Sequence, residues 1–195
     1  MSLLDDNYEW VRSAPITAPR LLHRSRRWFP QIRHAEGAPS WLIDEREIVH
    51  YTLGVVGEIG ELVDAVDLAQ ADMGGGGSED REALDSEVAD VAIYLMLFSA
   101  VWSEWVRLIE TLSALSPSSY ASIRSQLEAN SHQLAEYVKK WQTGRTVTSL
   151  VEATVVATFR SLCSLASHLG TNIEGAVGLK MDANEVRFHS GWHTS

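Results

Sequence analysis

Two stretches of the chain carry acids in a pattern that a solvated surface does not require: GEIGELVDAVD at 57–67 and SEVADVAIYL at 86–95. Each holds two carboxylates three residues apart inside an otherwise apolar run, Glu58 with Glu61 and Glu87 with Asp90. On a helix that spacing puts both side chains on one face, one above the other. Gly54, Glu58, Glu61 and Ala65 then form one row, and Ala83, Glu87, Asp90 and Tyr94 another, with small residues leaving room beside the acids. Neither row contains Lys or Arg. Two like charges about 4 Å apart at an effective dielectric of about 20 repel by on the order of 4 kcal/mol before screening. Facing pairs of this kind call for a cation between them, and carboxylate oxygens suit Mg²⁺, with Mn²⁺ as a substitute. The plainer reading, a solvated acidic stripe, explains one such pair readily and two in apolar surroundings less well.

The elements that must position these acids are helices. Asp44 and Glu47 are spaced as a capping box, and Leu53, Val56, Ile59, Val63 and Val66 follow at three-to-four residue steps, predicting a helix that ends before the glycine run 74–77. That run lacks the GK[ST] ending of a phosphate loop and reads as a linker. Ser78, with Glu79, Asp80 and Glu82 behind it, opens a second helix expected to reach about Leu112 through Val88, Val91, Leu95 and Phe98. Ser116-Pro117 predicts the start of a third, to about Trp141 and a break at Thr143-Gly144. Ser149 and Glu152 predict a capping box for a fourth, ending near Gly170. Thr171 and Glu174 predict another for a short fifth helix through Asn184. No strand-like alternation extends beyond a few residues. The expected fold is all-α, an antiparallel bundle of about five helices (41–190) preceded by an extended arm (1–40) that carries most of the prolines.

Composition narrows the function classes. The 195 residues suffice for one domain, and 45% apolar with 22% charged residues is ordinary for a globular protein. A formal net charge of -10 argues against non-specific binding to nucleic acid or to anionic membranes. Arg20, Arg24, Arg26, Arg27 and Arg33 do cluster around Trp28 and Phe29 in the arm, and the overall charge favours their lying on an acidic body or a partner subunit. Cys163 is the single cysteine, flanked by Leu162 and Leu165, so it reads as a buried small hydrophobe in a reducing compartment. The start, MSLLDDNYEW, lacks a secretory pattern, and the most apolar stretch, Val91 to Trp102, is shorter than the roughly 20 residues of a membrane span. A cytoplasmic location is the expectation.

With KMDANEVRF at 180–188, the two acid motifs resemble the ExxE, ExxD and K-M-x-x-N-x-x-R-[YF] elements of the MazG-like all-α nucleoside triphosphate pyrophosphohydrolases, and are most similar to the dCTP pyrophosphatase branch. Together the three comprise 30 residues. The resemblance implies that Glu58, Glu61, Glu87 and Asp90 ligate Mg²⁺ and that Lys180, Asn184 and Arg187 hold the triphosphate of a deoxynucleotide substrate. Those three also lie at i, i+4 and i+7, one helical face. The same resemblance places Tyr94 against base or sugar and gives His50 a polar substrate contact, although a core tyrosine and a surface histidine are equally ordinary readings. It also implies a homodimer, or a tetramer of dimers, that completes the bundle. The chain departs from the pattern in two places. Gly57 stands where many relatives have a third acid, a feature shared with the dCTP branch. A helical segment at about 113–170 is inserted where the family has a short connection.

The chemistry expected of such a site is hydrolysis of (d)NTP to (d)NMP and pyrophosphate. Divalent ions bridge substrate and acids, Glu58 accepts the proton of the attacking water, and Lys180 and Arg187 neutralise the leaving pyrophosphate. One rival is a di-iron carboxylate bundle, which needs two Glu-x-x-His pairs; the chain offers one, Glu47 to His50. Another is a non-catalytic nucleotide- or partner-binding protein on the same helical fold.

Overall fold

In the computed structural model, residues 2–13, 21, 45–71, 78–102 and 119–189 are described. Among them there are six helices and no strand: α1 (Leu3–Ser13), α2 (Glu45–Ala71), α3 (Ser78–Trp102), α4 (Tyr120–Gln142), α5 (Thr148–Leu169) and α6 (Ile173–His189). The chain is all-α.

Apolar periodicity decides which face of each helix turns inward. On α2 the buried row is Ile48, Tyr51, Val55, Ile59, Leu62 and Val66. Leu53, expected in the core, is 64% exposed instead. The helix is apolar on more than one side, and the row through Ile48 and Tyr51 is the one that meets α3 and α4. On α3 the expected Val88, Val91, Leu95 and Phe98 are all buried. α2 packs on α3 and α4, α4 on α5, and α3 on both α5 and α6. The segment expected as an insertion therefore supplies α4 and α5, which build part of the core.

The N-terminal arm is not wholly extended. Residues 3–13 form α1, which packs on α5 and α6. Val11 is buried, and Asn7, 1% exposed, is tied into the turn between α5 and α6. This helix lies before the first proline, at position 15. The arginine-rich part of the arm, the glycine run 74–77, Asp44 and Ser116-Pro117 lie outside the described residues, as does the expected extension of α3 to Leu112.

Several helix starts differ from expectation, each for a local reason. α4 is capped by Ser119, whose hydroxyl accepts from the Ser122 N–H. α5 begins at Thr148, and Ser149 lies in its first turn and does not cap it. Burial of Val147, whose carbonyl accepts from the Leu150 and Val151 N–H groups, sets that boundary. At α6 the cap is Asn172, whose Oδ1 accepts from the Gly175 N–H at 2.8 Å, and the helix runs past Asn184 to His189. Thr171, expected as the cap, is buried and donates its hydroxyl to Asp85. Gly170 ends α5 at φ 76°, the left-handed conformation glycine adopts freely.

α5 is also long and apolar enough to cross a membrane by length and composition, and 61% of its most apolar window is buried inside the fold. Among the described residues, α5 and not the helix that holds Val91–Trp102 is the one that meets this criterion. Its Thr154 and Thr158 hydroxyls return to carbonyls one turn back, which satisfies them inside the core. Cys163 is fully buried there, its thiol pushed up to about 12 by desolvation, as suits a packing residue.

Candidate metal centre

The packing of α2 on α3 turns the two acid pairs toward one another. One carboxylate oxygen each from Glu58, Glu61 and Glu87 lie within 4.8 Å of one another, the spacing of ligands around a single cation. This is the one group among the described residues that could hold a metal ion, and it contains no imidazole or thiol. Glu58 and Glu87 are half-buried and Glu61 faces solvent.

Asp90, the fourth expected ligand, is differently engaged. Its carboxylate is ion-paired with the Lys180 ammonium of α6. Lys180 also donates to the Ser86 hydroxyl at 2.8 Å. Ser86 and Asp90 are four residues apart and so share the α3 face that meets α6, whereas Glu87 turns toward α2. Sequence reasoning passed over Ser86, although its spacing from Asp90 was a usable signal.

The electrostatics follow from burial and crowding. Desolvation, then Asp90, Glu61 and Glu87, push the Glu58 carboxyl up to about 7, with Lys180 only partly opposing them. Glu87 is raised by burial and by Asp90. Asp90 is raised too, because burial outweighs the relief from Lys180 and the weaker pull of Arg187. One oxygen of Glu87, Oε2, is buried with no hydrogen-bond partner. A buried carboxylate oxygen left without a donor is costly, and a group of three carboxylates within ligand distance of one another suits a hard divalent cation. The residues therefore fit such an ion, with Glu58, Glu61 and Glu87 as its holders.

Around the acids stand the other expected residues. The Tyr94 ring lies over Gly54, where a Cβ would come within 2.2 Å of Tyr94 Cδ1. The room expected beside Gly54 is thus filled by this ring. Burial, then Glu58, Asp90 and Glu61, push the Tyr94 hydroxyl up to about 12. His50 and Tyr51 have ring centroids 6.3 and 6.5 Å from that of Tyr94, forming an aromatic group at the edge of the acids. Burial lowers the His50 pKa, with Glu47 opposing. Asn184 is half-buried and Arg187 exposed, beyond Lys180 on α6. A cleft of about 280 Å³ opens between α3 and α6, lined by Glu82, Asp85, Ser86, Ala176, Leu179, Lys180 and Ala183.

What holds α6 in register is a second polar group on α3. Arg81 donates to the Leu169 carbonyl and pairs with Asp85 at 3.3 Å, and Asp85 accepts from the Thr171 hydroxyl at 2.6 Å. Asn7 donates to the Thr171 carbonyl and accepts from the Ile173 N–H, both at 3.0 Å. These contacts fix the start of α6 and hence the reach of Lys180. Comparison with known proteins finds no family model, no curated protein and no solved structure that matches the chain.

Proposed function

We propose that the chain is a Mg²⁺-dependent pyrophosphohydrolase of nucleoside triphosphates, releasing monophosphate and pyrophosphate. The observation that carries this reading is the convergence of Glu58, Glu61 and Glu87, the last with a buried oxygen that has no hydrogen-bond partner, beside a cationic row on α6. A divalent cation bound there supplies neutralisation of the triphosphate and polarises the phosphorus under attack. Glu58, whose carboxyl is raised by burial and by Asp90, Glu61 and Glu87 while no cation is present, is the group assigned to take a proton from the attacking water. Lys180 and Arg187 carry the positive charge that meets pyrophosphate as it leaves, and Asn184 between them orients it. The half-buried rings of Tyr94 and His50, backed by the buried Tyr51, offer flat surfaces for a base or a deoxyribose.

The family reading, MazG-like and nearest the dCTP branch, rests on the three motifs that supply these residues. It carries with it a helical bundle completed by a second copy of the chain. Leu53 and Leu68 on α2 and Leu179 and Val186 on α6, all more than half exposed, supply apolar surface for that association. A cytoplasmic nucleotide pool is the source of substrate in this reading.

The test is incubation of the full chain with each dNTP and NTP in Mg²⁺, scoring monophosphate and pyrophosphate. Pyrophosphate from at least one substrate, abolished by chelation, is the expected result. Orthophosphate as the first product contradicts the reading. Nucleotide binding without any product favours the non-catalytic alternative.

A further inference from the structure

The fourth acid and the first phosphate-holding lysine are already joined to each other. We propose that Lys180 gates the site: it holds Asp90 in an ion pair until an anionic phosphate chain draws the ammonium away, which frees Asp90 to serve as a cation ligand. This deepens, and rests on, the metal reading above.

Three observations carry it. Glu58, Glu61 and Glu87 alone bring ligand oxygens within 4.8 Å, so a cation can be held without Asp90. Asp90 is bound to Lys180, whose amine is further anchored by Ser86. Lys180 remains 24% exposed and lines the open cleft between α3 and α6, where an incoming anion can reach it. The exchange breaks no covalent bond. The Asp90–Lys180 pair is replaced by a Lys180–phosphate pair and an Asp90–cation contact, and charge is conserved across the step. Two groups that must each bind something else satisfy one another while substrate is absent, which limits the repulsion among the acids. By linkage, a phosphate ligand that takes Lys180 tightens cation binding, and the cation tightens the phosphate ligand by the same factor.

A lysine that merely awaits phosphate acts on cation binding only through its charge, equally with and without Asp90, whereas a gating lysine weakens it through its hold on Asp90. The experiment titrates Mn²⁺ into the metal-free full chain without nucleotide, followed by electron paramagnetic resonance and calorimetry. Lys180→Met is expected to bind Mn²⁺ about tenfold more tightly than the wild type, within the usual range of coupling between sites. Lys180→Arg, which keeps the charge, is expected to stay near the wild type. In an Asp90→Asn background, Lys180→Met is expected to change the affinity by less than about twofold. Lys180→Gln is the second neutral variant if Lys180→Met does not give the wild-type helical spectrum. Equal affinity in the wild type and the neutral variants overturns the gate. An equal gain with and without Asp90 also overturns it, by showing only the loss of a nearby charge. Absence of Mn²⁺ binding at millimolar concentration in the wild type and every variant overturns the metal reading itself, a separable result.

Discussion

α3 carries two polar groups less than two turns apart, and they are built on opposite terms. At Arg81 and Asp85 every partner is supplied by the chain: the guanidinium meets the Leu169 carbonyl and Asp85, and Asp85 meets Thr171. At Glu87 the chain brings up further acids and leaves a buried oxygen without a donor. The first group is a closed account of donors and acceptors, as structural polar groups in folded proteins are. The second is left open by the chain at neutral pH, and a cation could complete it. An arrangement whose cost the chain's own donors do not relieve is what separates a candidate site from a structural network, and the contrast yields opposite responses to substitution.

The largest effect is expected at the acids. Glu61→Gln and Asp90→Asn lower Mg²⁺-dependent pyrophosphate release by on the order of a thousandfold, measured as kcat/KM on the best dNTP. Glu61→Gln leaves the thermal midpoint of the metal-free protein unchanged or higher, since it removes one of several crowded charges. A clear drop in midpoint would place the acids among structural groups, as Asp85 is.

At the closed group the response inverts. Asn7→Ala leaves a buried carbonyl of Thr171 and the N–H of Ile173 without their partners. The loss is about 3 kcal/mol, a fall of roughly 6–12 °C in thermal midpoint for a chain of this size. Because Asn7 touches no acid of the cluster, Mn²⁺ affinity is expected to change by less than about threefold at temperatures where the variant is folded. Differential scanning calorimetry beside a Mn²⁺ titration separates the two outcomes.

The pH dependence distinguishes the groups a third way. Glu58 titrates near 7 in the fold against an ordinary 4.5. A folded-state pKa raised in this way contributes stability that is fully present below the ordinary value and is lost as pH rises through the folded one. Glu87 and Asp90 are shifted in the same direction. The metal-free protein is therefore expected to lose thermal midpoint between about pH 5 and about pH 8, and saturating Mg²⁺ to remove most of that loss. Glu58→Gln flattens the metal-free profile. A profile that climbs over this interval, or one that Mg²⁺ leaves unaltered, goes against the crowded-acid picture.

Much of this contrast was legible in the sequence, and the illegible part has a common cause. The spacing of Glu58, Glu61, Glu87 and Asp90 follows from helical periodicity alone, so it needed only the correct secondary structure. The all-α class and the end of α5 at Gly170 were readable for the same reason. Partners distant in sequence were not. Nothing local told that Asp85 would take Thr171 away from its expected capping role, that Asn7 would draw residues 3–13 into a helix against α5, or that Lys180 would reach Asp90. Leu53 was misplaced because α2 offers several apolar faces and only its neighbours choose among them.

The smallest expected effects sharpen the comparison within a single helix. Gly54 and Gly57 both sit on α2 beside the acids, and composition alone treats them alike. At Gly54 an added methyl meets the Tyr94 ring, while at Gly57 nothing lies within 4 Å. Gly57→Ala therefore gains helix propensity without a clash and is expected to stabilise by about 0.5–1 kcal/mol. Gly54→Ala has the same propensity gain but must push Tyr94 aside, at about 1–3 kcal/mol for forced repacking, so its net effect is destabilising. Displacing Tyr94 also moves the aromatic surface beside Glu58. If that surface holds the base, Gly54→Ala raises KM for the best dNTP while Gly57→Ala leaves it alone. Equal thermal midpoints for the two variants would mean that the Tyr94 ring does not rest on Gly54, and the aromatic wall of the site would have to be drawn elsewhere.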